Sequence, residues 1–206
     1  MSYSIKMMRK NEQTTSLWSG GITTQLAIYP EDADYTKRDF KWRISSADVE
    51  VEESVFTPLP GIQRIIMIME GEMFLQHEGK HQVLLKPFEQ DRFSGDWTTR
   101  SMGRVKDFNL MLAEGCSGEL RAIHLKKGIH NEVLDTAYSR EGAKRSEAFY
   151  CVNGSVRAII DENEVLVLEK GDVMIVNAEN LRKTIKVKVC NHDELTASII
   201  KASIFY

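Results

Sequence analysis

Short runs in which apolar and polar residues alternate recur along the chain, separated by Gly, Asn, Asp and Pro. Alternation with a period of two sends successive side chains to opposite faces, so each run predicts a β-strand. The segments are "GITTQLAIYP", "FKWRISSADV", "RIIMIM", "EMFLQHE", "KHQVLL", "VKDFNLML", "GELRAIHL", "EAFYCV", "SVRAII", "EVLVLE", "DVMIVN" and "KTIKVKVC". Their richness in Val, Ile, Phe and Tyr agrees with strands, and few helices are expected. So many strands in one chain favour a sandwich or barrel over an open sheet.

Two of these strands have an unusual second face. "WRISSA" sends Trp42, Ile44 and Ser46 one way and Arg43, Ser45 and Ala47 the other. "DFNLM" separates Phe108 and Leu110 from Asp107, Asn109 and Met111. Outward-facing polar residues would be ordinary amphipathic alternation. Yet Arg43 sits among Trp, Ser and Ala rather than in the Lys/Glu mixture of a solvated face. Its planar fork suits a carboxylate, either Asp107 or one carried by a ligand. Asn109 and Ser45 add uncharged donors and acceptors, and polar groups in a soft, apolar setting are what a small-molecule pocket contains.

The strands also repeat. The stretch from Ile65 to Phe93 lies over Ala148 to Val176 without a gap, so that Gly71 falls on Gly154, 83 positions later. Leu85 then falls on Leu168, and Glu89 on Asp172. Each copy reads strand, Gly, strand, polar turn, strand, acidic turn. The motif "NGSVRAIIDENEVLVLEKGDVMIV" resembles the small jelly-roll barrels of the cupin superfamily, and two copies suggest a bicupin. The expected division is an N-terminal barrel over 1–115 and a C-terminal one over 116–206, with strands open to exchange between them.

Composition narrows the function. The 206 residues are 42% hydrophobic and 28% charged, enough to bury a substantial core. A net charge of −3 and the lack of any cluster of five or six basic residues argue against nucleic acid and anionic membranes as partners. "MSYSIKMMRKNEQTT" carries no apolar core of a secretory signal, so a soluble cytoplasmic protein is expected. Cys116, Cys151 and Cys190 are scattered, with neither a disulfide framework nor a zinc knuckle, and read as reduced thiols.

Cupins often hold a metal through an H-x-H pair, a Glu and a later His, since such ligands on adjacent strands converge on one ion. The histidines here are His77, His81, His124, His130 and His192, and none forms H-x-H. His77 and His81 flank the turn "HEGKH" and are expected to face water. Neither a metal nor another cofactor is expected.

"LWSGGITTQL", "WRISSADVE", "FTPLPGIQRIIMIMEGE", "RFSGDW" and "DFNLM" occur in the order of the signature segments of the HutD/Ves family, which the chain resembles from Leu17 to Met111. The resemblance implies a bicupin linked in some bacteria to histidine utilisation, binding a pathway metabolite or tuning regulation, without established enzyme activity. Its pattern falls on Trp18, Gly20, Gly21 and Thr23, on Trp42, Arg43, Ser45 and Ala47, and on Phe56, Pro60, Gly61 and Arg64. It continues through Phe93, Gly95, Asp96, Asp107, Asn109 and Met111, and departs at Ser19, where the family has Asn. The Gly and Pro positions read as turns, and Trp18, Trp42, Phe56 and Phe93 more readily as core than as ligand platforms.

The expected site is thus Trp18, Thr23, Arg43, Ser45, Arg64, Asp96, Asp107, Asn109 and Met111, binding a small anionic metabolite without catalysis. Urocanate and a formylated glutamate derivative suit an arginine-lined pocket. The alternative is a metal-independent isomerase or hydrolase with Asp96 or Asp107 as proton carrier, a role a nearby Arg would oppose by lowering the acid's pKa. Because cupin barrels associate through sheet edges, a homodimer is the expected assembly.

Overall fold

The computed structural model describes residues 3–134, 144–179 and 184–206. In chain order the strands are β1 (Tyr3–Met8), then, after a 3-10 turn at Lys10–Glu12, β2 (Thr14–Trp18), β3 (Gly21–Tyr29), β4 (Trp42–Val49), β5 (Glu53–Val55) and β6 (Gln63–Glu70). Next come β7 (Met73–His77), β8 (Gln82–Leu85), β9 (Gln90–Ser94), β10 (Thr99–Met102), β11 (Val105–Leu112) and β12 (Ser117–Leu125). The last are β13 (Gly128–Leu134), β14 (Lys144–Asn153), β15 (Ser155–Ile160), β16 (Glu164–Glu169), β17 (Val173–Glu179), β18 (Ile185–Asn191) and β19 (Ala197–Phe205). Among the described residues no helix is long and apolar enough to cross a membrane.

The chain forms two compact units, Gln13–Leu120 and a second made of Met1–Glu12 with Arg121–Tyr206. The first pairs a six-stranded sheet, ordered β2-β3-β4-β11-β6-β9, with a four-stranded one, β5-β10-β7-β8. Ile66 and Ile68 of β6 meet Met73 and Leu75 of β7, Leu85 of β8 and Phe93 of β9 in its core. Burial of each such side chain is worth about 1.5–3 kcal/mol. The second unit repeats the plan with sheets β1-β17-β14-β19-β12 and β13-β18-β15-β16. Its core includes Phe149, Cys151, Val156, Met174 and Val187. The protein is all-β, with two cupin-like jelly-roll barrels in one chain.

The repeat read from the sequence is also a repeat of register. Met73 stands opposite Leu85 in the β7–β8 hairpin, and Val156 opposite Leu168 in β15–β16. Arg64 pairs with Phe93 across β6–β9, and Glu147 with Val176 across β14–β17. Gly71 and Gly154 both take positive φ, 84° and 75°, at equivalent corners. A Cβ on Gly71 would stand 2.5 Å from the Arg104 carbonyl oxygen, so the corner requires glycine.

The first strand lies in the second of these units. β1 pairs along its length with β17, and Ile5 and Met7 pack against that unit's core. The alternation rule passed over β1, β2, β5, β9, β10, β13 and β19. β19 alternates only from Ile200 to Ile204, and all but its last residue are buried.

Candidate functional site

β4 and β11 are neighbours, and their register places Ala47 opposite Asp107, Ser45 opposite Asn109 and Arg43 opposite Met111. β6 flanks β11 on its other side and sets Arg64 opposite Met111. β3 flanks β4 and sets Thr23 opposite Ala47. The alternating faces therefore stack into one polar wall. It borders a cavity of about 240 Å³ whose lining also includes Ser16 and Trp18 of β2, Tyr35 and residues 54–57.

The two guanidinium groups are held differently. Arg43 donates from Nε to Gln25 Oε1 at 2.9 Å and from Nη1 to Ser45 Oγ at 3.0 Å, and lies over the Tyr35 ring at 4.2 Å. Arg64 lies over Phe56 at 4.6 Å and Phe93 at 5.2 Å, a stacked placement suited to a planar cation. Among the described residues its Nε has no hydrogen-bond partner, and neither have Asp107 Oδ1 and Asn109 Oδ1. All three residues are at least nine-tenths buried, with Arg64 7%, Asp107 4% and Asn109 5% exposed. Buried polar atoms are nearly always paired, because a lost hydrogen bond to such a group costs about 1–3 kcal/mol.

Burial pushes the Asp107 carboxyl up to about 7, with the Arg64 charge pulling against it and Asp48 adding to it. Burial likewise lowers Arg64 to about 10, opposed by Asp107, so its guanidinium stays charged at neutral pH. Arg43 is also lowered by burial. Among the described residues neither arginine forms an ion pair with Asp107; the anticipated Arg43–Asp107 pair is replaced by Arg43 bonding to Gln25 and Ser45. Asp107 thus keeps a raised pKa.

Eight of the nine expected site residues line this cavity: Trp18, Thr23, Arg43, Ser45, Arg64, Asp107, Asn109 and Met111. Asp96 does not. It is exposed and braces a turn, its Oδ2 accepting from Ser94 Oγ at 2.8 Å and from the Gly61 amide at 3.4 Å. Its short carboxylate serves the loop backbone, as Asp does in turns. Phe56, read as core, is half-buried; it packs against the barrel core and also lines the cavity. The sequence reading missed Tyr35, which sits in an irregular segment with no strand periodicity. The one local signal is an Asp turn, where Asp34 Oδ1 accepts from the Thr36 amide at 2.8 Å. His77, expected to face water, is 2% exposed, with Nδ1 at 2.8 Å from Thr99 Oγ1 and Nε2 at 2.8 Å from Asp91 Oδ2.

The HutD family's sequence profile matches residues 10–197. A conserved protein of unknown function from Pseudomonas aeruginosa superposes with a TM-score of 0.80 at 22% identity, covering 98% of each chain. HutD from Pseudomonas fluorescens superposes at 0.71 with 21% identity, over 97% of this chain and 98% of that one. A pirin from Escherichia coli in complex with nickel(II) superposes at 0.65 with 12% identity, over 97% and 98%. The cavity here does not fit such an ion: two guanidinium groups, one carboxylate and no imidazole are not a transition-metal donor set. With the profile match spanning nearly the whole chain and both barrels, the protein belongs to the HutD family.

Proposed function

We propose that this chain binds a small metabolite bearing a carboxylate and an N–H donor in the Gln13–Leu120 barrel, without chemical conversion. The observation that carries this reading is that three residues lining one cavity each hold a buried atom with no partner among the described residues: Arg64 Nε, Asp107 Oδ1 and Asn109 Oδ1. A donor there calls for an acceptor, and the two oxygens call for donors. Arg43 and Arg64 supply the cationic end, and Asp107 and Asn109 read the opposite end of the ligand. At about 240 Å³ the cavity falls below the 300–1,000 Å³ of drug-sized sites and suits a metabolite.

Intermediates of histidine degradation combine these groups: urocanate has a carboxylate and an imidazole, and a formylated glutamate has carboxylates and an amide. The family name shared with the Pseudomonas fluorescens protein supports that choice. Action in the cytoplasm, as a homodimer, is part of the same reading. Calorimetry with urocanate and with formylated glutamate tests it. One of them is expected to bind, and Arg43→Ala to weaken binding at least tenfold, since a hydrogen bond to a charged group is worth about 1.5–3 kcal/mol. Absence of binding by both, or an unchanged affinity in the variant, overturns it.

A second reading rests on Asp107, whose pKa near 7 suits a proton carrier. It requires turnover of a bound metabolite that Asp107→Asn abolishes while leaving binding intact.

A further inference from the structure

We propose that His77, His81 and Asp91 form a binding site for one divalent transition-metal ion, outside the cavity described above. His77 Nε2 lies 2.8 Å and His81 Nε2 3.0 Å from the same oxygen, Asp91 Oδ2. The three potential ligand atoms lie within 4.8 Å of one another. Two imidazoles and a carboxylate match the His₂-carboxylate sets of catalytic zinc sites and suit zinc, nickel or cobalt.

The hairpin builds this arrangement. The His77 amide donates to the His81 carbonyl at 2.9 Å and the Lys80 amide to the His77 carbonyl at 3.0 Å, with Gly79 at φ 67° completing the turn. That turn sets the two rings 4.6 Å apart, both turned toward Asp91 of β9. In a tetrahedral site with bonds of about 2.0–2.1 Å the ligand atoms stand roughly 3.3 Å apart. The two His–Asp pairs, at 2.8 and 3.0 Å, stand within a few tenths of an ångström of that spacing.

His77 also has the outer partner that a metal-bound imidazole uses. Its Nδ1 lies 2.8 Å from Thr99 Oγ1, and that hydroxyl donates to the Trp97 carbonyl at 3.5 Å. When Nε2 binds a metal ion, Nδ1–H donates to the Thr99 hydroxyl oxygen, the outer contact that fixes the tautomer and ring orientation of a ligating imidazole. The rings of Phe93 and Trp97 wall His77 at 4.7 and 5.5 Å, while the His81 side chain is 41% exposed. The ion thus has a fixed inner ligand, an entry path, and room for water as a fourth ligand.

The test uses the untagged full chain, stripped with a chelator and titrated with cobalt(II) by absorption spectroscopy and with zinc(II) by calorimetry. One equivalent of metal is expected, with the intense visible bands of low-coordinate cobalt. His81→Ala, which removes an exposed side chain, and Asp91→Asn are each expected to weaken binding at least tenfold with an unchanged circular dichroism spectrum. Thr99→Val, acting through the His77 ring, is expected to cost about 10–100-fold. Failure of zinc, nickel and cobalt to bind stoichiometrically, or binding that survives His81→Ala unchanged, overturns the assignment and leaves a hydrogen-bonded His–Asp–His cluster.

Discussion

Arg64 and Glu147 hold the same place in the repeat, and so do the residues opposite them, Met111 and Ser203. Two positions further along the same ladders, Asn109 faces Ile66 and Lys201 faces Phe149. In the C-terminal unit these places are filled by a closed network. Lys201 Nζ lies 2.8 Å from Glu132 Oε2 and 3.2 Å from Glu147 Oε2, while Ser203 Oγ donates to Glu147 Oε2 at 2.7 Å. Arg145 and Glu147 Oε1 complete it at 2.6 Å. In the N-terminal unit the same places leave Arg64 Nε and Asn109 Oδ1 without partners beside a cavity. One scaffold thus holds a barrel whose buried charges satisfy each other and a barrel whose buried charges wait for something else.

The acids record that difference. Burial raises Asp107 to about 7 against the pull of the Arg64 charge, with which it forms no ion pair among the described residues. Burial works to raise Glu132 as well, but hydrogen bonds from Lys201 and His130 and the nearby charges outweigh it, and its pKa is lowered. Partners, not depth, decide the sign.

The largest expected effect comes from breaking the closed network. Lys201→Met leaves Glu132 and Glu147 buried without their shared cation, and a loss of about 3–5 kcal/mol is expected in urea unfolding. A loss under about 1 kcal/mol would show that the C-terminal charges are no more interdependent than those of the cavity, and the contrast would collapse.

Asp107→Asn should act in the opposite direction. The folded pKa near 7 stands above the unfolded value near 3.9, so the ligand-free protein loses stability as pH rises from about 4 to about 7 and is level beyond. An amide does not titrate. At pH 8 the variant should therefore be more stable than the parent by a few kcal/mol, at about 1.4 kcal/mol per unit, with little gain at pH 4. An identical pH profile for both proteins would rule this out.

The smallest effect sharpens the comparison. Double-mutant cycles should give Glu147 and Lys201 a coupling of about 1–3 kcal/mol, and Arg64 with Asp107 less than about 1 kcal/mol. Equal couplings would place both clusters in the same class.

The legible part of the site was the part made of strands. Period-two alternation put Arg43, Ser45, Asp107, Asn109 and Met111 on one wall because register follows from pairing, and the structure pairs those strands directly. Tyr35 and residues 54–57 reach the cavity from irregular segments, for which alternation says nothing. Asp96 misled because an acid in a turn has the same letter as an acid in a pocket. His77 misled because a hairpin end is usually wet, whereas here Phe93 and Trp97 cover the ring. The closed network went unseen because β13 and β19, which carry Glu132 and Lys201, were not read as strands.

β11 is buried on both faces, with Phe108 and Leu110 at 0% exposure behind Asp107 and Asn109. A single inserted or deleted residue in that strand would turn Phe108 into the cavity and bury the acid among aliphatic side chains. Relatives can therefore change what the site recognises by replacing letters, but not by altering the count of residues between them. The spacing of this strand is therefore as much a part of the pocket as the side chains it carries.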